Sequence, residues 1–141
     1  MSASVPVCEL DQELRTRLNK IKRLSTKSGI AIIMKMDKEL GTIVEDEYLD
    51  DCSVDDIKES LPGHQPRYLL YTFSHKHKDE RVTYPLVFIF YSPLGCKTDL
   101  SVMYAASKVN LIRELDIGKT FEIRDLEEFT EEWLIKNLKL A

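Results

Sequence analysis

The sequence predicts an α/β (α+β) fold, with a central mixed β-sheet of five to six strands flanked by helices on both faces. Helical and strand periodicities follow one another as helix, hairpin, helix, hairpin, long helix, strand, helix, which suits a sheet covered by helices on either side. Val87-Phe88-Ile89-Phe90 is apolar at four successive positions, the pattern of a strand buried on both faces. A chain of 141 residues is long enough for one domain with a core of ordinary size.

The elements can be justified in order. Leu10, Leu14, Leu18, Ile21 and Leu24 recur at helical spacing, and Ser28-Gly29 ends that helix. Ile30–Met36 and Thr42–Leu49 read as strands joined by a turn around Asp37–Gly41. Ser53, with Asp56 three residues on, resembles a capping box, and Pro62-Gly63 stops the short helix that follows. Arg67–His77 and Val82–Tyr91 read as two long strands of an antiparallel hairpin with Lys78–Arg81 at its tip. Ser92-Pro93-Leu94-Gly95 breaks the chain. Thr98 or Asp99 is expected to cap a long helix to Leu115, then come a strand over Thr120–Arg124 and a helix over Thr130–Leu140.

Composition excludes several classes. A hydrophobic fraction of 43% and a charged fraction of 31% are those of a folded protein. A net charge of −4 argues against a nonspecific nucleic-acid binder. No apolar run reaches the roughly 18 residues of a membrane span, and no secretory signal is visible, so a cytoplasmic protein is expected. Cys8, Cys52 and Cys96 are odd in number and far apart, forming neither a disulfide framework nor a CxxC pair.

No catalytic arrangement emerges. GxSxG, HExxH and CxxC are absent, and in Gly95-Cys96-Lys97-Thr98 a cysteine separates Gly from the Lys-Thr of a phosphate-binding loop. His75 and His77 share one face of a strand, but His64 is the only other histidine and nothing completes a metal site. The pair is expected at the surface near the hairpin tip. The expectation is no enzyme, no cofactor and no metal.

Charge is unevenly divided. Arg15–Lys27 holds six basic residues and no acidic one, whereas Asp37–Glu59 holds ten acidic and two basic ones. Such segregation either steers a charged protein partner or marks ordinary solvated faces.

The long helix is more informative. At 100° per residue Leu100, Tyr104, Leu111 and Leu115 share a narrow stripe that suits packing on the sheet. The opposite side holds Val102, Ala105, Ala106 and Val109, with Ile112 at its margin, where a surface helix should be polar. That side is either covered by another part of the chain or docks onto a partner.

Several sequence blocks together resemble the actin-depolymerising-factor homology family, and most closely its glia maturation factor branch. They are Ala31–Lys38, Gln65–Tyr68, Arg81–Leu86, Phe88–Phe90, Ser92–Lys97, Met103–Lys108, Phe121–Arg124 and Thr130–Leu134, within a resemblance that covers nearly the whole chain, from Cys8 to Leu138. The resemblance implies one such domain over residues 1–141, with residues 1–8 a flexible N-terminal tail. It also implies a non-enzymatic, monomeric protein of the cytoplasm and cortical actin cytoskeleton. That protein would bind the actin-related protein 2/3 complex through its actin-related protein 2 subunit, inhibit nucleation and promote debranching. The first actin of the daughter filament is a further contact, and neither nucleic acid nor membrane is a partner.

Carried over from the family, the partner-binding surface is Ser2, Ala3 and Ser4 with Asp99, Val102, Met103, Ala106, Val109, Asn110 and Arg113. A second family surface, for contacts along filament sides, matches Lys76, Lys78, Arg81, Glu127 and Glu131, which also read as plain exposed charges. The alternative is a cofilin-like binder of actin monomers and filaments. Against it, Asp99 and Ser101 at the start of the long helix stand where cofilin-type proteins carry lysines. After the Tyr104–Lys108 block, Val109–Glu114 holds the single cation Arg113.

Overall fold

The computed structural model describes residues 9–23, 29–37, 39 and 41–140. Eight strands and four α-helices follow in the order β1 (Glu9–Leu10), α1 (Gln12–Arg23), β2 (Ile30–Asp37), β3 (Thr42–Asp50), α2 (Val54–Ser60), β4 (Arg67–Thr72), β5 (His75–Lys76), β6 (Val82–Thr83), β7 (Leu86–Tyr91), α3 (Thr98–Leu115), β8 (Thr120–Ile123) and α4 (Glu131–Asn137). A 3-10 turn over Leu126–Glu128 precedes α4.

Six strands form one sheet in the order β1-β3-β2-β4-β7-β8. The inner pairs are antiparallel, while β1–β3 and β7–β8 are parallel, so the sheet is mixed as expected. Alternation along the strands divides the core in two. Ile32, Met34, Tyr68, Leu70, Phe88 and Phe90 point toward α1 and α3. Ile33, Leu69, Tyr71, Val87, Ile89 and Tyr91 point toward α2 and α4. The all-apolar stretch Val87–Phe90 therefore feeds both cores alternately.

Local chemistry sets most boundaries. Asp11 accepts from the Leu14 N–H at 3.2 Å and starts α1 one residue after β1, a two-residue strand too short to show in the hydrophobic pattern. Residues 24–28, including the expected last apolar position Leu24 and the Ser28 stop, lie outside the described residues. The turn after β2 closes through Gly41 N–H to Asp37 C=O at 2.8 Å, with Gly41 at φ +66°, a left-handed conformation suited to glycine. Ser53 Oγ accepts from Asp56 N–H at 3.2 Å and Asp56 Oδ2 from Ser53 N–H at 2.9 Å, a reciprocal capping box on α2.

Three boundaries depart from expectation. The long hairpin is interrupted: β5 and β6 form a separate two-stranded piece beyond Phe73-Ser74 and Tyr84-Pro85. Pro85 has no N–H for the ladder, and its carbonyl instead accepts from Phe73 N–H at 2.9 Å. Helix α3 is capped neither by Thr98 nor by Asp99; Lys97 holds the N-cap position and makes no side-chain cap bond. Helix α4 ends at Asn137 because Lys139 turns left-handed (φ +56°). The bonds Leu140 N–H to Ile135 C=O and Lys139 N–H to Lys136 C=O then close the helix as in a Schellman motif.

A bulge in β3 has a structural consequence. Ile33 pairs with Glu47 and Met34 with Glu45, which leaves Asp46 as the extra residue. Its carboxylate accepts from Arg67 Nε at 3.1 Å and lies 3.6 Å from Lys35 Nζ. The buried Arg67 guanidinium also donates to Pro66 C=O at 2.8 Å and Gln65 Oε1 at 3.1 Å, so its charge is matched.

Candidate docking face

Helix α3 is fixed to the sheet through one stripe. Tyr104, Ser107, Leu111 and Leu115 are buried, and Leu100, Met103 and Ile112 are partly buried against the same core. Ser107, the one polar member, is small enough to sit in the stripe and was not marked by the apolar periodicity. Tyr104 supplies the directional contacts. Its hydroxyl accepts from Met36 N–H at 2.9 Å, its carbonyl accepts from the Tyr68 hydroxyl, and its ring lies 5.2 Å from that of Tyr68. Burial raises the Tyr104 phenol above its ordinary value, and it stays a neutral hydrogen-bonding group. Asp99 in the first turn and Arg113 in the last complement the helix dipole.

Among the described residues nothing covers the opposite side. Val102 and Val109 are 45% and 54% exposed, Ala105 is exposed, and Ala106 is half-buried. The described part of the chain therefore leaves this side open rather than folding over it. Asp99, Asn110 and Arg113 are exposed around the valines, while Met103 is half-buried at the boundary with the core. Seven of the residues expected at the partner surface thus lie together on one helix. Ser2, Ala3 and Ser4 lie outside the described residues; β1, which follows them in the chain, packs against α3.

The second group divides between two places. Lys76 and Arg81 flank the small β5–β6 hairpin, and Lys78 is at its tip. Glu127 lies in the 3-10 turn and Glu131 in the first turn of α4, where its charge reaches Tyr71 of β4. All five are exposed, and no ion pair among the described residues joins the hairpin cations to the two glutamates.

Contrary to the expected surface pair, His75 is buried, stacked 5.9 Å from Phe73, with the His77 ring edge-on at 4.6 Å. Phe73 belongs to the core under α4, so the hairpin base is packed rather than loose. Among the described residues no three His, Cys, Asp or Glu side chains converge as a metal site. Burial pushes the Cys52 thiol up to about 11, opposite to what a nucleophile needs. An open cleft of about 480 Å³ lies between the end of β2 and the start of α3. Its Arg67 is taken up by Asp46 and Gln65, and its Tyr104 oxygen by Met36.

Comparison with known proteins bears on this arrangement. The family model for cofilin/tropomyosin-type actin-binding proteins matches residues 7–139. The glia maturation factor of Drosophila melanogaster is 45% identical over 133 residues, 94% of this chain and 96% of the relative. Glia maturation factor beta of Rattus norvegicus is 45% identical over 138 residues, 98% of this chain and 97% of the relative. The chain belongs to the glia maturation factor family.

The solution structure of glia maturation factor from Caenorhabditis elegans superposes with a TM-score of 0.80 at 34% identity, covering 96% of this chain and 99% of that one. A crystal structure of Streptomyces griseoflavus cofilin has a TM-score of 0.81 at 22% identity, covering 95% and 99%, and shares the fold. The glia maturation factor and the cofilin thus share one architecture with this chain. Among the described residues no helix is long and apolar enough to cross a membrane.

Proposed function

We propose that this member of the family is a non-enzymatic regulator of branched actin that binds the actin-related protein 2/3 complex, inhibits its nucleation and promotes debranching. The observation that carries it is the outer side of α3: two exposed valines on a helix anchored by Tyr104, in a chain of this family. A rigid helix with small apolar residues can enter a groove with little loss of its own conformational freedom.

The groove is that between two subdomains of the actin-related protein 2 subunit, and Ser2, Ala3 and Ser4 count among the residues that contact it. Occupying it disfavours contact with the first actin of the daughter filament, so branches are lost by mass action. The protein acts as a monomer in the cytoplasm at the actin cortex. Lys76, Lys78, Arg81, Glu127 and Glu131 form a second surface, for contacts along filament sides.

A cofilin-like reading, direct binding of actin, is favoured by the family model and by the match to actin-depolymerizing factor 11 of Oryza sativa subsp. japonica, 30% identical over 99 residues. Against it stands the replacement of cations around α3 by Asp99, Ser101 and Val109–Glu114, which weakens attraction to acidic actin surfaces. Capture from cytosol on the immobilised protein separates the two. Recovery of the branch-nucleating complex in excess over actin is expected; recovery of actin alone contradicts the proposal.

A further inference from the structure

We propose that Leu94 is a further partner-anchoring residue, extending the docking face of α3 onto the turn that leads into the helix. This rests on the docking reading given above and adds a residue to it. Of the large apolar side chains exposed among the described residues, Tyr48, Val82, Leu94, Val102 and Val109, Leu94 is the most exposed at 72%. Three of these five, Leu94, Val102 and Val109, lie on α3 or on the turn entering it.

The turn holds Leu94 in place. Pro93, which is buried, fixes the backbone before it, and Gly95 follows at φ +87°, a conformation that costs glycine nothing. Ser92 N–H donates to Ile123 C=O at 2.9 Å and ties the start of the turn to the end of β8. Ser92 Oγ lies 3.1 Å and Cys96 Sγ 3.3 Å from the hydroxyl of Ser101, so both ends of the turn converge on one residue of α3. An apolar side chain presented on an ordered turn loses little beyond its own rotamer freedom when a partner covers it.

The position of Ser101 decides which part of the surface Leu94 extends. At 100° per residue Ala105 and Ile112 share the flank of Ser101, and Val102 and Val109 lie next to that flank. The family-matched residues Asp99, Met103 and Asn110 lie on the other side of the valines. The turn that carries Leu94 is therefore tied to the helix on the β8 side of the valines, away from the matched residues. Leu94 is assigned to an apolar pocket of the same actin-related subunit that takes the valines.

The test measures affinity of the full-length protein for purified actin-related protein 2/3 complex by competition, with thermal unfolding of each variant recorded. Leu94→Ser should weaken binding roughly tenfold, the loss of one buried leucine, with its unfolding temperature unchanged. Leu94→Met, which keeps apolar bulk, should retain most of the affinity. If Val109→Asp weakens binding and Leu94→Ser binds as the unmodified protein does, the assignment of Leu94 is overturned while the docking face stands. Equal losses for Leu94→Ser and Leu94→Met also overturn it, because apolar bulk is then not what the partner reads. Absence of binding by the unmodified protein overturns the docking reading and this assignment with it.

Discussion

The hydroxyl of Tyr68 in β4 donates to the backbone carbonyl of Tyr104 in α3, and the Tyr104 hydroxyl accepts from Met36 N–H at the end of β2. Two strands are thereby bonded to one turn of the helix at a point where the rings are 5.2 Å apart and both buried. This makes the outer side of α3 a fixed surface rather than a rocking one. Tyr104→Phe keeps the ring but leaves the Met36 N–H buried without its partner, which should cost about 1–3 kcal/mol. Chemical denaturation reads the loss directly, and a change below a few tenths would mean that the hydroxyl does not secure the helix.

The Asp46–Arg67 pair should behave asymmetrically. Asp46→Ala leaves a buried guanidinium with only neutral partners (Pro66, Gln65 and the Tyr104 phenol oxygen), so a loss of about 2 kcal/mol is expected, below the 3–5 of fully buried pairs because Asp46 is partly exposed. Replacing both residues by apolar ones of similar size should restore much of that stability. Denaturation midpoints of the single and double variants check this.

Cys52 should be slow to react. With its thiol pushed up to about 11 from 9.0, chiefly by burial, its thiolate fraction at pH 8 falls about a hundredfold. Iodoacetamide labelling followed by peptide mass spectrometry should show Cys52 modified far more slowly than an unfolded control. The same shift has a sign for stability. The folded state holds its proton more tightly, so the contribution is complete below pH 9 and is lost as pH rises through about 11. Cys52→Ala should flatten the stability profile in that window.

The two sides of α3 should respond oppositely to substitution. Leu111→Ala removes a buried side chain and should cost about 2–4 kcal/mol of folding stability. Val109→Asp touches an exposed position and should leave the unfolding temperature nearly unchanged. A strongly destabilised Val109→Asp would place this side in the core.

Much of this architecture was legible because periodicity reports burial. The apolar run Val87–Phe90 and the alternating strands fixed the layers, and the Ser53–Asp56 spacing fixed a cap. The stripe and the outer side of α3 followed from the same 100° rule, whereas the seven partner residues expected on that helix came from the family resemblance. What escaped depends on contacts distant in sequence or on backbone detail. Strand β1 has two residues and is defined only by pairing with β3. The break in the hairpin arises where Phe73 and Pro85 meet. Burial of His75 comes from the core beneath α4, and no local pattern shows that core reaching the hairpin. The Leu94 turn carries a local signal, an apolar residue between proline and glycine, but its attachment to Ser101 is visible only in three dimensions.

The account rests on the outer side of α3 acting on branch junctions, and branch lifetime tests that most directly. Branched networks assembled with the actin-related protein 2/3 complex are imaged with buffer, the purified protein, or Val109→Asp at micromolar concentration. Shorter lifetimes are expected with the unmodified protein, and lifetimes close to buffer with Val109→Asp. Lifetimes unchanged by the unmodified protein, or shortened equally by both, would contradict it.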